Sequence, residues 1–220
     1  MMKIGIIGGT GDIGEGLALR VSDKHEIILG SRDPAKAVES ADKIKNTLKE
    51  RGIDGNCRGT TNEDAAKAGD MVVISLPFQH VAPTLAGINP DCFKDKIVIS
   101  PVNPMVRKNG CFLYCPPDEG SAALAIKKML PESCKLVTAF NNIAARKWSM
   151  LDCVLDYTVA VTSDDTDAKM QVMALAQQIS KLQPVDAGGL ELAGIVESLT
   201  PLTINIAQNN KLKDLSIYMR

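Results

Sequence analysis

The sequence predicts a doubly wound α/β fold, a parallel sheet with helices on both faces. Three observations carry that prediction. Short apolar runs alternate with amphipathic stretches along most of the 220 residues, the pattern of repeated strand–helix units. Met71 to Leu76 is an apolar run of the kind that a central strand covered on both faces requires. At the start of the chain, Ile4 to Ile7 stops at Gly8-Gly9, and Gly9, Gly11 and Gly14 then fall in a G-x-G-x-x-G spacing before Leu17-Ala18-Leu19 opens a helical pattern.

That opening stretch reads as strand, tight turn and helix N-terminus. Residues without a Cβ let the backbone approach a pyrophosphate, and the free N–H groups at the positive end of the helix dipole bind its charge. Glycines also mark ordinary turns, but this triplet follows a strand and opens a helix, the context that gives the motif its meaning. Gly9, Thr10, Gly11, Asp12 and Ile13 are therefore candidate cofactor contacts. The next strand, from Glu26, ends at Gly30-Ser31-Arg32. NAD sites place an acidic residue there for the ribose 2′-hydroxyl. A hydroxyl and a guanidinium suit a 2′-phosphate instead, and Lys36, one turn into the following helix, adds a second charge. The dinucleotide expected is NADP(H), with Asp33 turned toward solvent.

The remaining elements follow in order. Pro34 to Arg51 is an amphipathic helix closed by Gly52, and a third strand lies near Asn56 to Thr60. Thr61-Asn62-Glu63-Asp64 resembles a helix start, with Thr61 or Asn62 as cap and acids in the first turn. The Met71–Leu76 strand ends at Pro77-Phe78-Gln79-His80. Ligands of open α/β sheets sit at the carboxyl ends of strands, so Leu76 and Pro77 are expected against the cofactor. His80 either touches the nicotinamide ribose or faces solvent. Lys96 to Ser100 is the fifth strand, and Asn109 to Gly120 reads as a long, substrate-facing loop. Ser121 to Met129 is a helix, Lys135 to Phe140 the sixth strand, Val154 to Thr162 another, Thr166 to Lys181 a helix and Gln183 to Ala187 the last strand. A final helix from about Leu190 carries Ile195, Val196, Leu199, Leu202 and Ile206 on one face, with Pro201 expected to kink it or mark a fresh start. The organisation expected is one Rossmann-type NADP-binding domain over residues 1–220, with 151–220 as a small α/β extension closing the acceptor site.

Composition bounds the function. A hydrophobic fraction of 45% and a charged fraction of 23% are those of an ordinary globular protein. A formal net charge of -1 gives no reason to expect nucleic acid or an anionic membrane as partner. No apolar run is expected to approach the roughly 18 residues needed to span a bilayer, and the N-terminal run is too short for a signal peptide. A cytoplasmic location is expected. Without export, the six cysteines read as small buried hydrophobes or reduced thiols rather than as disulfides or zinc ligands. Neither a metal site nor a catalytic triad is expected. The apolar face of the last helix, with little chain left to cover it, suggests a homodimer.

The residues argue against two common owners of the glycine turn. Short-chain dehydrogenases need Tyr-x-x-x-Lys, but Asp118 and Val161 stand four residues beyond Tyr114 and Tyr157, and the chain ends before a partner for Tyr218. The 3-hydroxyacid dehydrogenases and pyrroline carboxylate reductases carry a larger helical domain than the residues after Ala187 allow. The chain does resemble, over nearly its full length, the NADPH-dependent reductases of coenzyme F420. The resemblance rests on Gly8-Gly9-Thr10-Gly11 with Gly14 and Gly16-Leu17-Ala18, on Gly30-Ser31-Arg32, on Asp186-Ala187-Gly188, and above all on Val196-Glu197-Ser198-Leu199-Thr200-Pro201-Leu202.

The resemblance implies direct hydride transfer between NADPH and a deazaflavin stacked on its nicotinamide, a reaction that asks for alignment more than for an acid or base. It also places Thr10, Gly11, Asp12 and Ile13 at the pyrophosphate, Ser31, Arg32 and Lys36 at the 2′-phosphate and Ala145 near the nicotinamide. Ile143, Ser198 and Thr200 match positions on the deazaflavin side. Two departures stand out. Asn141 takes the place where these reductases can have a histidine, with Ala144 replacing a proline, and Gly194 takes the place of an arginine. An asparagine can still donate to ring carbonyls, which makes Asn141 a candidate acceptor contact. The alternatives left open are an NADPH-dependent reductase of a flavin, ferric chelate or imine, and a non-catalytic NADP-binding sensor.

Overall fold

In chain order the elements are β1 (Lys3–Ile7), α1 (Asp12–Val21), β2 (Glu26–Ser31), α2 (Pro34–Lys49), β3 (Cys57–Thr61), α3 (Asn62–Ala68), β4 (Met71–Ile74), α4 (Phe78–Leu85), β5 (Ile97–Ser100), β6 (Met105–Lys108), β7 (Cys111–Tyr114), α5 (Ala122–Met129), β8 (Lys135–Thr138), α6 (Ala145–Trp148), β9 (Thr158–Val161), α7 (Thr166–Gln177), β10 (Gln183–Asp186) and α8 (Ala193–Asn209). This computed structural model describes residues 1–179, 181–212 and 215–219. Ser180, within the reach predicted for the helix before the last strand, lies outside the described residues, as do Lys213, Asp214 and Arg220 of the predicted C-terminal extension.

Six strands make the main sheet in the order β3-β2-β1-β4-β5-β8, and every neighbouring pair is parallel. The sheet is buried on both faces because successive side chains point to opposite sides. On β4, Met71 and Val73 join one core with Ile4, Ile6, Leu29 and Val137. Val72 and Ile74 join the other with Ile7, Val98 and Leu136. The strand order reverses between β1 and β4, which opens a crevice at their carboxyl ends.

Local signals place the helices. Asp33 caps α2, its carboxylate accepting from the Ala35 N–H at 3.1 Å, with Pro34 at the first helical position; the side chain is exposed, as expected. Thr61 caps α3 through the Asp64 N–H. Ser121 caps α5 through the Leu124 N–H.

Three parts differ from the sequence reading or go beyond it. The stretch expected as a structureless loop is largely an antiparallel hairpin, β6 with β7, paired Lys108 with Cys111 across Asn109-Gly110. Both turn residues have positive φ, 52° and 83°, as a type I′ turn requires, and Asn-Gly is its strongest sequence signal. Next, the strands expected from Val154 to Thr162 and Gln183 to Ala187, β9 and β10, form the C-terminal extension and stand apart from the main sheet, a placement the sequence reading left unspecified. They pair with each other in parallel, joined to β8 by an antiparallel bridge between Thr138 and Thr162, whose hydroxyls lie 2.6 Å apart. Val159, Val161, Val172 and Leu175 of this extension nonetheless share the core of β1 and β2. Finally, α8 is continuous through Pro201, so the proline marks no fresh start. Leu190–Asn209 has the length and mean hydropathy, 1.2, that a bilayer span needs. Only 28% of that window is buried against protein, on the side where Glu197, Thr200 and Asn205 are each bonded to distant segments.

Candidate functional site: a groove along the strand ends

The crevice is a continuous groove. Its widest part, about 620 Å³, is lined by Gly11, Asp12, Ile13, Ser75, Leu76 and Pro77 and continues to Asn103, Val106, Cys115 and Ala145. Through Gly11, Ser75, Leu76 and Pro77 it joins a smaller space of about 210 Å³ that also touches Thr10, Ser31 and Arg32. Beyond that lies a third, of about 400 Å³, between Ser31, Arg32, Asn62, His80 and Thr84.

The glycine turn is shaped for close approach. Gly8 has φ +69°, and an added Cβ would run into the Leu76 side chain and lie 2.6 Å from the Ser75 carbonyl. Its N–H donates to Oδ1 of Asn62 at 3.0 Å. Asn62, weighed only as a helix cap, thus clamps the turn from α3. Gly9 is buried beneath the turn rather than lining the groove, and a Cβ on Gly14 would meet Gly9 Cα at 2.7 Å. Gly11 faces open space: a Cβ added there would have the Gly8 carbonyl, at 3.6 Å, as its nearest neighbour. It stands at the N-cap of α1 with no side-chain cap, so the first N–H groups of the helix are free to face an anion.

At the far end, Ser31 Oγ accepts from the Asp33 N–H at 3.1 Å. Arg32 and Lys36 are exposed and form no ion pair among the described residues. Arg32 lines the groove; Lys36 stands outside its lining. His80 lies with Ser31 and Arg32 rather than beside Ala145. Two free cations, an uncapped helix N-terminus and a backbone open to approach fit a phosphorylated dinucleotide.

The other end is built from loops. Ala145 heads α6, and the segment after it is held by Arg20 of α1, whose guanidinium donates to the carbonyls of Lys147, Trp148, Met150 and Cys153 at 2.8 to 3.3 Å. Burial lowers the Arg20 pKa, partly offset by Cys153. Pro101, Val102, Pro104, Met105 and Val106 give this end apolar walls. Of the residues expected on the acceptor side, Ile143 is in the core and Ser198 Oγ donates within its own helix, to the Ile195 carbonyl at 2.7 Å. Asn141 is 3% exposed, its amide donating to the Val102 carbonyl and to Asn103 Oδ1. Thr200 donates to the Asn141 carbonyl at 2.5 Å. None of the four is part of the groove lining; Asn141 and Thr200 bond to Asn103, which is.

The C-terminal signature has a structural explanation. Glu197, fully buried, spans the N-terminus of α5, accepting from the Ala122 and Ala123 N–H groups at 2.9 Å each and from the Tyr114 hydroxyl at 3.1 Å. Burial outweighs these donors and holds its carboxyl above the ordinary range; burial and the neighbouring Glu197 push the Tyr114 phenol up. Asp186 accepts from buried Lys169 at 2.7 Å and from the Gly188 N–H at 2.8 Å, where Gly188 turns with φ +95°. Among the described residues no group of three His, Cys, Asp or Glu side chains is placed to hold a metal. Cys57 and Cys134 are buried enough for their thiols to be pushed up to about 12, while Cys111 and Cys115 are exposed.

Fold and groove together define a protein of the doubly wound, dinucleotide-binding class. Residues 3–104 match the family model described as NADP oxidoreductase, coenzyme F420-dependent. The chain is 41% identical over 219 residues to the F420-dependent NADP reductase of Methanocaldococcus jannaschii, covering 98% of this chain and 97% of that one. It is 39% identical over 221 residues to the enzyme of the same name from Methanothermobacter thermautotrophicus, covering 99% and 94%. A crystal structure of a putative F420-dependent NADP reductase from Arthrobacter sp. FB24 superposes over all of both chains with TM-score 0.83 at 23% identity, a likeness of fold. The chain belongs to the family of F420-dependent NADP reductases.

Proposed function

We propose that the chain transfers a hydride directly between NADPH and the deazaflavin coenzyme F420. The observation that carries this is the groove itself, with cationic and N–H-rich surface at one end and flat apolar walls at the other, in a chain whose full-length relatives are named for this reaction. NADPH supplies the hydride and the deazaflavin receives it. The protein binds and aligns. The α1 N-terminus with Thr10, Gly11, Asp12 and Ile13 takes the pyrophosphate, and Ser31 and Arg32 take the 2′-phosphate with Lys36 adding charge from α2. Leu76 and Pro77 support the nicotinamide half, and Ala145 closes its far side. Holding two rings in contact supplies rate through orientation and excluded solvent; the hydride passes from the nicotinamide to a ring carbon of the deazaflavin, and the one proton that balances the reduction comes from solvent to a ring nitrogen.

Residues 1–220 act as one unit in which 151–220, through α8, backs the acceptor end. Asn141, Ile143, Ser198 and Thr200 shape that end from behind. Exposed Ile195, Leu202 and Ile206 on α8 form an apolar face suited to a second copy of the chain, in a cytoplasmic homodimer. Mixing NADPH with oxidised F420 and following the visible band of the deazaflavin tests the reading. Bleaching at catalytic enzyme concentration is expected; tight NADPH binding with no turnover of deazaflavin, flavin, ferric chelate or imine would instead support a sensor.

A further inference from the structure

Asn103 follows β5 and is the one polar side chain among Pro101, Val102, Asn103, Pro104, Met105 and Val106, the groove lining that this loop and the hairpin contribute. Its orientation is fixed by a network reaching across the chain. Nδ2 donates to the Asn141 carbonyl at 2.8 Å and to Thr200 Oγ1 at 3.1 Å. Oδ1 accepts from Asn141 Nδ2 at 3.3 Å. The Thr200 hydrogen is already given to the Asn141 carbonyl, so Thr200 can only accept from Asn103. Turning the Asn103 amide over would set its oxygen 2.8 Å from the Asn141 carbonyl and its NH2 group against the Asn141 NH2, so the network favours the orientation described.

Both Asn103 amide hydrogens are thus committed within the protein, while its oxygen keeps a second lone pair. Asn141 Oδ1 also has no partner among the described residues, but it is fully buried and Asn141 is not part of the groove lining, so of the two oxygens only that of Asn103 belongs to a side chain that a ligand in the groove can meet. We infer that Asn103 is a specificity-determining residue whose Oδ1 accepts a hydrogen bond from a ring N–H of the hydride acceptor. The class of acceptor selected is a heterocycle with an imide N–H between two carbonyls, the arrangement in the pyrimidinedione edge of a deazaflavin. The inference rests on the proposed function, which puts such a ring at this end. Its chemical basis is that a polar group built to pair with a substrate N–H discriminates against an analogue lacking it, because the partner is then left unpaired. Thr200 acts through Asn103 as a positioning residue.

The test compares the parent deazaflavin with a derivative methylated at the imide nitrogen, each reduced by the full chain at saturating NADPH. The native chain is expected to favour the parent by about tenfold or more in kcat/KM, the scale of one hydrogen bond in a desolvated site. Asn103→Val should bring that ratio close to one while leaving the Kd for NADPH unchanged, a signature that loss of packing alone does not produce. Thr200→Val leaves the Asn103 amide in place but releases one of its anchors, and should lower the ratio only in part. A native ratio near one, or a native-like ratio in Asn103→Val, overturns the inference even though turnover is normal. No turnover of the parent deazaflavin by the native chain removes the proposed function and the inference together, a result plainly distinct from equal turnover of both compounds.

Discussion

The phenol of Tyr114 on β7 donates to the carboxylate of Glu197 on α8 across 83 residues of sequence, at 3.1 Å. Through this contact the hairpin, the start of α5 and the last helix become one wall behind the acceptor end. Glu197→Gln keeps the size but sets an amide N–H against one of the two backbone donors. A loss of about 1–3 kcal/mol in unfolding free energy is expected, read as a lower urea midpoint. The pH dependence has a definite sign. Burial holds the folded-state pKa of Glu197 above its unfolded value, so the native chain binds more protons between the two. The stability this group contributes is complete below the unfolded pKa and falls as pH rises through the folded one. Urea midpoints measured upward from about pH 4 should show the deficit of the Gln variant narrowing as pH rises.

Two glycines of the turn separate folding from binding. Gly14→Ala places a methyl against the Gly9 backbone, 2.7 Å from its Cα, and should destabilise by about 1–3 kcal/mol. Gly11→Ala has room, its nearest neighbour being the Gly8 carbonyl at 3.6 Å, and a φ of -89° that any residue adopts. Its melting temperature should stay near native while affinity for NADPH drops, because the methyl occupies the approach to the α1 N-terminus. Normal NADPH affinity in Gly11→Ala would place the pyrophosphate elsewhere.

Arg32 lines the groove without a carboxylate partner among the described residues. Removing a charge-assisted contact to a phosphate amounts to about 1.5–3 kcal/mol. Arg32→Ala should therefore weaken NADPH binding roughly 10- to 100-fold and leave NADH nearly unaffected. Titration of both nucleotides by fluorescence reads the difference, and an unchanged preference would refute the 2′-phosphate assignment.

Ile195 is 65% exposed and Leu202 54% exposed, on the α8 face proposed to meet a second copy. Replacing both with lysine should convert a dimeric mass to a monomeric one in sedimentation or light scattering, with the monomer still folded. A monomeric mass for the native chain would remove the homodimer from the account.

Much of the nucleotide half was legible because its determinants are local. Strand, glycine turn and helix lie within one stretch, and Ser31-Arg32 ends the next strand. The acceptor half depends on contacts between distant segments. Glu197 meets α5 and β7, Asn62 meets Gly8, and Asn103 meets Asn141 and Thr200 only because the sheet brings their loops together. At Ser198 the hydroxyl turns back onto its own helix, the local role that a serine inside a helix commonly takes. The hairpin was legible and missed, since Asn109-Gly110 between Met105 and Tyr114 is a type I′ turn signal set among residues read as aperiodic. The main sheet and a separate C-terminal α/β extension followed from the apolar runs, while the parallel pairing of β9 with β10 was left open, because an apolar run does not state which strand it will join.

The central claim is direct hydride transfer between two rings aligned in one groove, with no side chain carrying the proton inventory. It is tested by reducing oxidised F420 with NADPH deuterated at the transferring carbon of the nicotinamide, in ordinary water, and locating the label by mass spectrometry and NMR. The account predicts deuterium retained at a single carbon of the reduced deazaflavin. A reduced deazaflavin carrying only solvent hydrogen at that carbon would contradict it.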